Sequence, residues 1–207
     1  LEVYVPEVIS NYEVGTSYFG RKNYVEYIPG ELPVIMSAPH GGVLKPSEVA
    51  DRTYGVTGSD LNTASLILAV RGALIDATGY APHVVLSHLH RSKLDPNREI
   101  VEAAQGNPFA ENAWHEFQDW IKAARAVVVD DYDSGMYFDI HGHGHSIPRV
   151  ELGYLLSTLD LNQSDDALNK LTIVEKTSIR ELGRYSPEAF SELLRGPKSF
   201  GAFLADE

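Results

Sequence analysis

Three apolar runs of strand length, each followed by a polar segment, constrain the fold of this chain most strongly. The runs are LPVIMSA at residues 32–38, APHVVLSHLH at 81–90 and MYFDIH at 136–141. Two stretches of helical periodicity, residues 60–79 and 110–126, lie between them. Strands that alternate with helices in this way predict an α/β fold.

The rest of the chain predicts further elements of the same fold. VELGYLLS at residues 150–157 predicts a fourth strand, and the residues from Asp160 onward have helical periodicity, with a helix beginning near Ser186-Pro187. The chain has 207 residues, of which 43% are hydrophobic. This length is enough for one sizeable hydrophobic core and short for two. We therefore expect a single domain over residues 1–207.

Charge and composition exclude several classes of partner. The chain has 17 Lys and Arg against 29 Asp and Glu, a formal charge of −12, so it would repel nucleic acid and anionic membranes. LEVYVPEVIS at residues 1–10 lacks the basic start and apolar block of a signal peptide. We expect a soluble protein, cytoplasmic or secreted after removal of a leader. Because the chain has no cysteine, any metal must be bound by His, Asp or Glu.

The polar segments that follow the three predicted strands indicate one functional site. His40, the segment 91–98 and His141 each lie just past the carboxyl end of a different predicted strand. In open α/β sheets, ligands bind at these ends. We therefore expect the three segments to meet.

The segment FDIHGHGH, residues 138–145, contains three candidate metal ligands. In an extended strand His141, His143 and His145 would share one face, because alternate side chains point the same way. The two intervening glycines, however, also fit a loop in which His143 and His145 are simply solvated. His141 differs because Asp139, two residues earlier on the same face, can orient its imidazole. We expect His141 alone of the three to bind a metal.

Four motifs resemble those of the N-formylglutamate amidohydrolase family. They are SAPHGG at residues 37–42, DLNT at 60–63, RSKLDPNR at 91–98 and DIH at 139–141, in that order. The resemblance spans residues 33–155. It implies a fold like that of zinc carboxypeptidases and aspartoacylases, a mixed, mostly parallel sheet flanked by helices with zinc at the carboxyl ends of the strands. The implied activity is hydrolysis of an N-acyl amide bond next to a carboxylate.

The resemblance also implies a set of zinc ligands. His40 would be the first ligand and His141 the third, with a carboxylate between them in the sequence. We expect that carboxylate to be Asp60, with Asp51 as the alternative. Asp60 would equally suit the start of a helix without any metal, and Asp51 could pair locally with Arg52.

The segment RSKLDPNR is the expected binding site for the substrate's carboxylate, because guanidinium groups bind carboxylates through two parallel hydrogen bonds. Asn97 and Arg98 would hold that carboxylate, and Arg91 would polarise the scissile carbonyl. Asp95 would fix one of the arginines. The alternative is a turn with surface salt bridges and no substrate.

The general base of the family has no counterpart in this chain. In the family pattern it is a Glu in a Gln-x-Glu strand after a Gly-Gly-Tyr segment, and neither element is present before Glu207. We expect either that the domain continues beyond Glu207 or that another carboxylate serves, with Glu151 as the nearest candidate. In the first case the sheet should have an unfilled edge near the metal, where a further strand or a second chain would sit.

Two other functions are compatible with the same residues. A metal-dependent deacetylase or esterase would use the same zinc on a neutral substrate. A non-catalytic zinc-binding module would fit the missing general base.

Overall fold

The computed structural model describes residues 12–205. The chain divides into two compact units. A five-stranded mixed sheet forms the centre of the first unit. The first unit ends at Gly144, and the second begins at His145. The expectation about a signal peptide concerns residues 1–10, which lie outside the described residues. The single-domain expectation stays a prediction.

The sheet is built from both parallel and antiparallel pairs. In the order β1-β2-β4-β3-β5, its strands are β1 (Tyr18–Phe19), β2 (Val25–Ile28), β4 (His83–Ser87), β3 (Val34–Ala38) and β5 (Met136–Asp139). Strand β3 pairs in parallel with β4 and β5, whereas β2 pairs antiparallel with β1 and β4. This confirms the α/β class and the three predicted strands. The carboxypeptidase-like fold stays a prediction.

Strand β5 has a neighbour on one side only among the described strands. It lies next to β3, so an edge of the sheet adjoins the ends of the two strands that precede His40 and His141. A further strand from beyond Glu207, or from a second chain, stays a prediction.

Helices cover both faces of this sheet. They are α1 (Thr63–Thr78), α2 (Ile100–Ala104) and α3 (Pro108–Tyr132), and a short 3-10 turn spans Arg21–Asn23. The end of α1 is where the sequence predicts it, at Gly79 with φ of +80°. Helix α3 extends beyond the predicted residues 110–126 at both ends.

The alternation of side chains along the strands divides the core into two layers. On one face Met36, Ala38, Val84 and Leu86 pack with Ile67 of α1. On the other face the strand residues Tyr27, Ile35 and Val85 pack with Phe117 and Trp120 of α3. The sheet is thereby held in place by α1 and α3, and its carboxyl ends are left for the site.

Within the described residues 145–205, the second unit contains six short helices. They are α4 (Thr158–Leu161), α5 (Asp165–Leu168), α6 (Leu171–Val174), α7 (Arg180–Tyr185), α8 (Phe190–Arg195) and α9 (Phe200–Ala205). Their core is formed by Leu168, Ile173, Val174, Phe190 and Leu194. No described helix of either unit combines the length and the apolar character needed to cross a membrane.

Two sequence predictions for this unit are wrong. Residues 150–157 form no strand, because the extended run is broken at Leu155, whose φ is +59°, and it pairs with no strand of the described chain. The helix expected near Ser186-Pro187 begins later, at Phe190. Ser186 is the C-cap of α7, and the N-cap of α8 is Ala189.

Candidate metal centre

Three segments meet beyond the carboxyl ends of β3 and β5. His40 lies two residues after β3, and His141 lies two residues after β5. Because these strands are parallel neighbours, the two histidines leave the sheet side by side. The Asp60 backbone amide donates to the His40 carbonyl oxygen at 2.9 Å, which brings the start of α1 to the same place.

The three predicted ligands form a nearly equilateral triangle. The distance from Asp60 Oδ2 is 3.3 Å to His40 Nδ1 and 3.2 Å to His141 Nδ1. The two Nδ1 atoms are 3.2 Å apart. Ligand atoms about 2.0 to 2.1 Å from a tetrahedral zinc would be separated by about 3.3 Å. The geometry therefore fits a zinc ion bound by His40, Asp60 and His141.

The proton on the His40 ring is fixed by a buried carboxylate. His40 Nε2 lies 2.6 Å from Asp95 Oδ1, and both side chains are buried. Burial alone raises the pKa of Asp95, but the hydrogen bonds and charges of His40 and Arg91 outweigh it and hold this pKa at about 2. Because an ionised carboxylate only accepts, Nε2 carries the proton and Nδ1 turns a lone pair toward the triangle.

His141 is oriented by the same kind of contact. Its Nε2 lies 2.8 Å from Asp139 Oδ2, and this hydrogen bond raises the pKa of His141 against the opposing effect of burial. The Asn97 side-chain amide also lies 3.1 Å from Nε2, and its oxygen and nitrogen are interchangeable by a flip of the amide. Because the charged Asp139 can only accept, Nε2 of His141 carries the proton. Nδ1 of His141 is therefore again a lone-pair donor.

Asp60 is committed to the histidines rather than to the helix that follows it. Helix α1 is capped at Asn62, and no side chain there bonds the first amides. Asp60 Oδ2 instead accepts from the Gly142 amide at 3.0 Å, and Oδ1 lies 3.6 Å from Arg91 Nη1. Two imidazole nitrogens and one carboxylate oxygen thus converge with their lone pairs, an arrangement that a cation stabilises.

The alternative carboxylate lies apart from this triangle. Asp51 is exposed, and its carboxylate pairs with Lys93 Nζ at 3.0 Å rather than with Arg52, as the sequence suggested. Ser92 also donates to Asp51 at 3.2 Å. Asp60, not Asp51, shares the triangle with the two histidines.

The segment 91–98 contributes a buried part and an exposed part. Arg91 Nε donates to Asp95 Oδ2 at 2.9 Å, so Asp95 does fix one arginine. The other oxygen of Asp95 interacts with His40. The Arg98 side chain is about half exposed, and its Nε lies 3.6 Å from Glu102 Oε1. The structure thus brings Arg91, Asp95 and Asn97 to the triangle and describes no contact between Arg98 and the three ligands.

Glu151 belongs to the second unit. Its carboxylate lies 2.9 Å from His145 Nδ1 and accepts from Arg149 Nε at 3.0 Å. Its catalytic role stays a prediction. His143 and His145 are not members of the triangle.

Sequence reasoning missed two buried residues that support the site. Arg52 donates through Nη1 to the carbonyl oxygens of Val56 and Arg91, at 2.7 and 3.0 Å. Ser37 donates to Asp139, the carboxylate that orients His141. The position of Ser37 inside SAPHGG was the available signal for this role, but a serine in a buried strand reads first as a small core residue.

One cavity of the first unit lies away from the triangle. It has a volume of about 510 Å³ and is lined by residues 50–54, 100–101, 104–107 and 111, with none of the three triangle residues among them. The convergence of ligand atoms therefore identifies the candidate site, and the cavity does not.

Comparison with known proteins neither supports nor contradicts a metal site at this triangle. The chain matches no family model, no curated protein and no solved structure. The resemblance to N-formylglutamate amidohydrolases stays a prediction that the quoted motifs carry.

Proposed function

We propose that this protein is a zinc-dependent amidohydrolase that cleaves the N-acyl amide bond of an N-acyl amino acid such as N-formylglutamate. The observation that carries the proposal is the triangle of His40, Asp60 and His141, with edges of 3.2 to 3.3 Å. Both imidazoles are held by carboxylates in the tautomer that offers Nδ1 to a metal.

The donor set suits hydrolysis. A zinc ion with these three ligands would keep a position for water, lower the pKa of that water toward about 7 and polarise a carbonyl oxygen. Arg91 holds a positive charge near the ligand atoms, since its Nη1 lies 3.6 Å from Asp60 Oδ1. That charge can stabilise the negative charge that develops on the carbonyl oxygen of the substrate.

Recognition of the substrate's carboxylate is assigned to Asn97 and Arg98. Arg98 pairs with Glu102 at 3.6 Å, and both side chains are substantially exposed, so this ion pair is weak. The guanidinium can therefore exchange Glu102 for the carboxylate of a substrate. The backbone of Arg98 is held by Trp114, whose Nε1 donates to its carbonyl oxygen at 2.8 Å.

The proton acceptor in this proposal is a carboxylate, and Glu151 is the candidate that the sequence offers. Glu151 Oε1 lies 2.9 Å from His145 Nδ1 and 3.0 Å from Arg149 Nε. A water bound by the zinc would need such a base within hydrogen-bond reach.

Metal content tests the first half of the proposal. The full chain, purified without metal and then given zinc, should retain one zinc per chain, and His40→Ala should retain none. His115→Ala, which changes an exposed histidine of α3, is the matched control and should bind as the unsubstituted chain does. Retention of zinc by His40→Ala would contradict the assignment of the site.

Substrate selectivity tests the second half. Arg98→Lys should reduce kcat/KM for N-formylglutamate by about tenfold to more than a hundredfold, because a charged hydrogen bond contributes about 1.5 to 3 kcal/mol. Its zinc content should not change. The neutral diamide of N-formylglutamate should be turned over equally by both forms. Equal loss on both substrates would favour the deacetylase or esterase function, and zinc binding without turnover of either would favour a non-catalytic module.

A further inference from the structure

A polar pair of neighbouring strands lies directly behind His141. In the parallel pairing of β3 with β5, Ser37 is opposite Asp139, and Ile35 is opposite Tyr137. Because side chains alternate along a strand, Ser37, Tyr137 and Asp139 lie on the same face of the sheet. His141 continues this spacing by two residues.

Hydrogen bonds connect these residues in series. Ser37 Oγ donates to Asp139 Oδ1, and Tyr137 Oη lies 2.7 Å from Ser37 Oγ. The other oxygen, Asp139 Oδ2, lies 2.8 Å from His141 Nε2. Each oxygen of the Asp139 carboxylate is therefore engaged, one by the sheet and one by the metal ligand.

Counting the available protons shows which group donates in each of these hydrogen bonds. A serine hydroxyl has one proton, and Ser37 gives it to Asp139. The Tyr137 hydroxyl must therefore donate to Ser37. Although 42% of Tyr137 is exposed, partial removal of its hydroxyl from water and the nearby Asp139 charge both raise its pKa, so the phenol keeps its proton. All protons in the series point toward Asp139.

We propose that Ser37 and Tyr137 are positioning residues for the metal ligand His141, and that they act through Asp139. This inference rests on the proposed zinc site. Its chemical content is that two hydroxyls in the sheet fix the rotation of a carboxylate, which in turn fixes the tautomer and ring plane of a ligand.

His141 needs such an anchor more than His40 does. The His40 side chain is 1% exposed, whereas that of His141 is 35% exposed and is followed by the permissive sequence GHG. Ser37 is fully buried in β3, and the neighbouring strands β4 and β5 fix the position of β3 on both sides. The anchor therefore transmits the rigidity of the sheet to the more exposed of the two histidines.

Zinc affinity of the full chain, measured by competition with a chelator, tests the series. Asp139→Asn should weaken zinc binding about ten- to a hundredfold, and Ser37→Ala should reach about the lower end of that range. Tyr137→Phe, which removes only the hydroxyl, should have a smaller effect in the same direction.

Matched controls separate positioning from general damage. Ser87→Ala changes another fully buried serine of the sheet, in β4, whose Oγ has no hydrogen-bond partner. Tyr132→Phe removes a hydroxyl that donates to the Glu31 carbonyl oxygen, outside the series. Both controls should leave zinc affinity within about twofold of the unsubstituted chain, since neither touches Asp139 or a ligand. Equal losses in controls and test variants would overturn the inference.

A double-mutant cycle tests the route through Asp139. In the Asp139→Asn background, Ser37→Ala should weaken zinc binding little further, because the residue through which it acts is already changed. Fully additive losses would show that Ser37 acts by another route and would overturn the inference.

The tautomer of His141 gives a readout that needs no metal. In the metal-free chain at alkaline pH, ring ¹⁵N shifts should show a proton on Nε2, and Ser37→Ala should produce a mixture of tautomers. If the unsubstituted chain binds no zinc, the proposed function fails while this readout still tests the series. An unchanged tautomer in Ser37→Ala, or in Tyr137→Phe should the alanine variant not fold, would overturn it.

Discussion

His40 and His141 share one construction at the scale of the residue: an imidazole with Nδ1 toward the site and a carboxylate on Nε2. Asp95 holds His40 and Asp139 holds His141. The motifs predicted the three candidate ligands because His and Asp at strand ends are chemically conspicuous. They could not identify Ser37, because a hydroxyl's role depends on its neighbour across the sheet, and sequence spacing does not give that neighbour.

A third histidine, His83, has a role in stability that the sequence did not indicate. It is fully buried in β4, and its Nδ1 lies 3.0 Å from the Tyr27 hydroxyl and accepts from the Gly30 amide at 3.2 Å. Burial lowers the pKa of His83 to about 4, and the charge of Asp131 only partly opposes this. The unfolded chain therefore binds this proton more readily than the folded chain does.

The free energy of unfolding should consequently depend on pH through His83. The contribution is fully present above about pH 6.5, falls as the pH drops from about 6.5 toward 4, and amounts to about 3 kcal/mol in total. Urea titrations across this range should show a flatter dependence for His83→Asn than for the unsubstituted chain. The exposed control His115→Asn should keep the original slope, and an unchanged slope in His83→Asn would count against this assignment.

At the scale of the element, glycines of the PHGG motif let the segment after β3 approach its neighbours. A Cβ on Gly42 would lie 2.2 Å from the His88 backbone carbon, which follows β4. A Cβ on Gly41 would lie 2.7 Å from Thr63 Oγ1, at the start of α1. This close packing keeps His40 next to Asp60.

Gly42→Ala should therefore destabilise the chain. Overpacking against fixed backbone typically costs about 1 to 3 kcal/mol. Here it would also displace the backbone that follows His40, so zinc affinity should fall as well. Gly58→Ala is the matched control in the same loop region, because no atom lies within 4 Å of its added Cβ. Chemical denaturation and zinc titration of both variants measure the two effects, and equal stabilities would show that the loop yields at Gly42.

The strands show why the rest of the fold could not be predicted. β3, β4 and β5 were found because each is an apolar run that ends at a turn, whereas β1 and β2 span two and four residues and establish no pattern. Residues 150–157 have a strand-like pattern but no described strand beside them. Periodicity reports the local preference of a segment, and strand formation also requires a hydrogen-bonding neighbour.

At the scale of the whole molecule, all three candidate ligands lie in the first unit, although composition alone suggested one core for the entire chain. His40 follows β3, Asp60 precedes α1 and His141 follows β5, so the site joins segments that are 81 residues apart in sequence between Asp60 and His141. A ligand that binds only when these segments are folded together stabilises the unit that contains them.

Zinc should accordingly raise the unfolding temperature of the first unit. At a free zinc concentration a hundredfold above Kd, the stabilisation is about 2.7 kcal/mol, which corresponds to a shift of about 5 to 10 °C for a chain of this size. Scanning calorimetry with zinc and then with a chelator should show this shift and its reversal. If the two units unfold in separate transitions, only that of the first unit should move, and His40→Ala should abolish the movement. A shift retained in His40→Ala would mean that zinc stabilises the chain from another site.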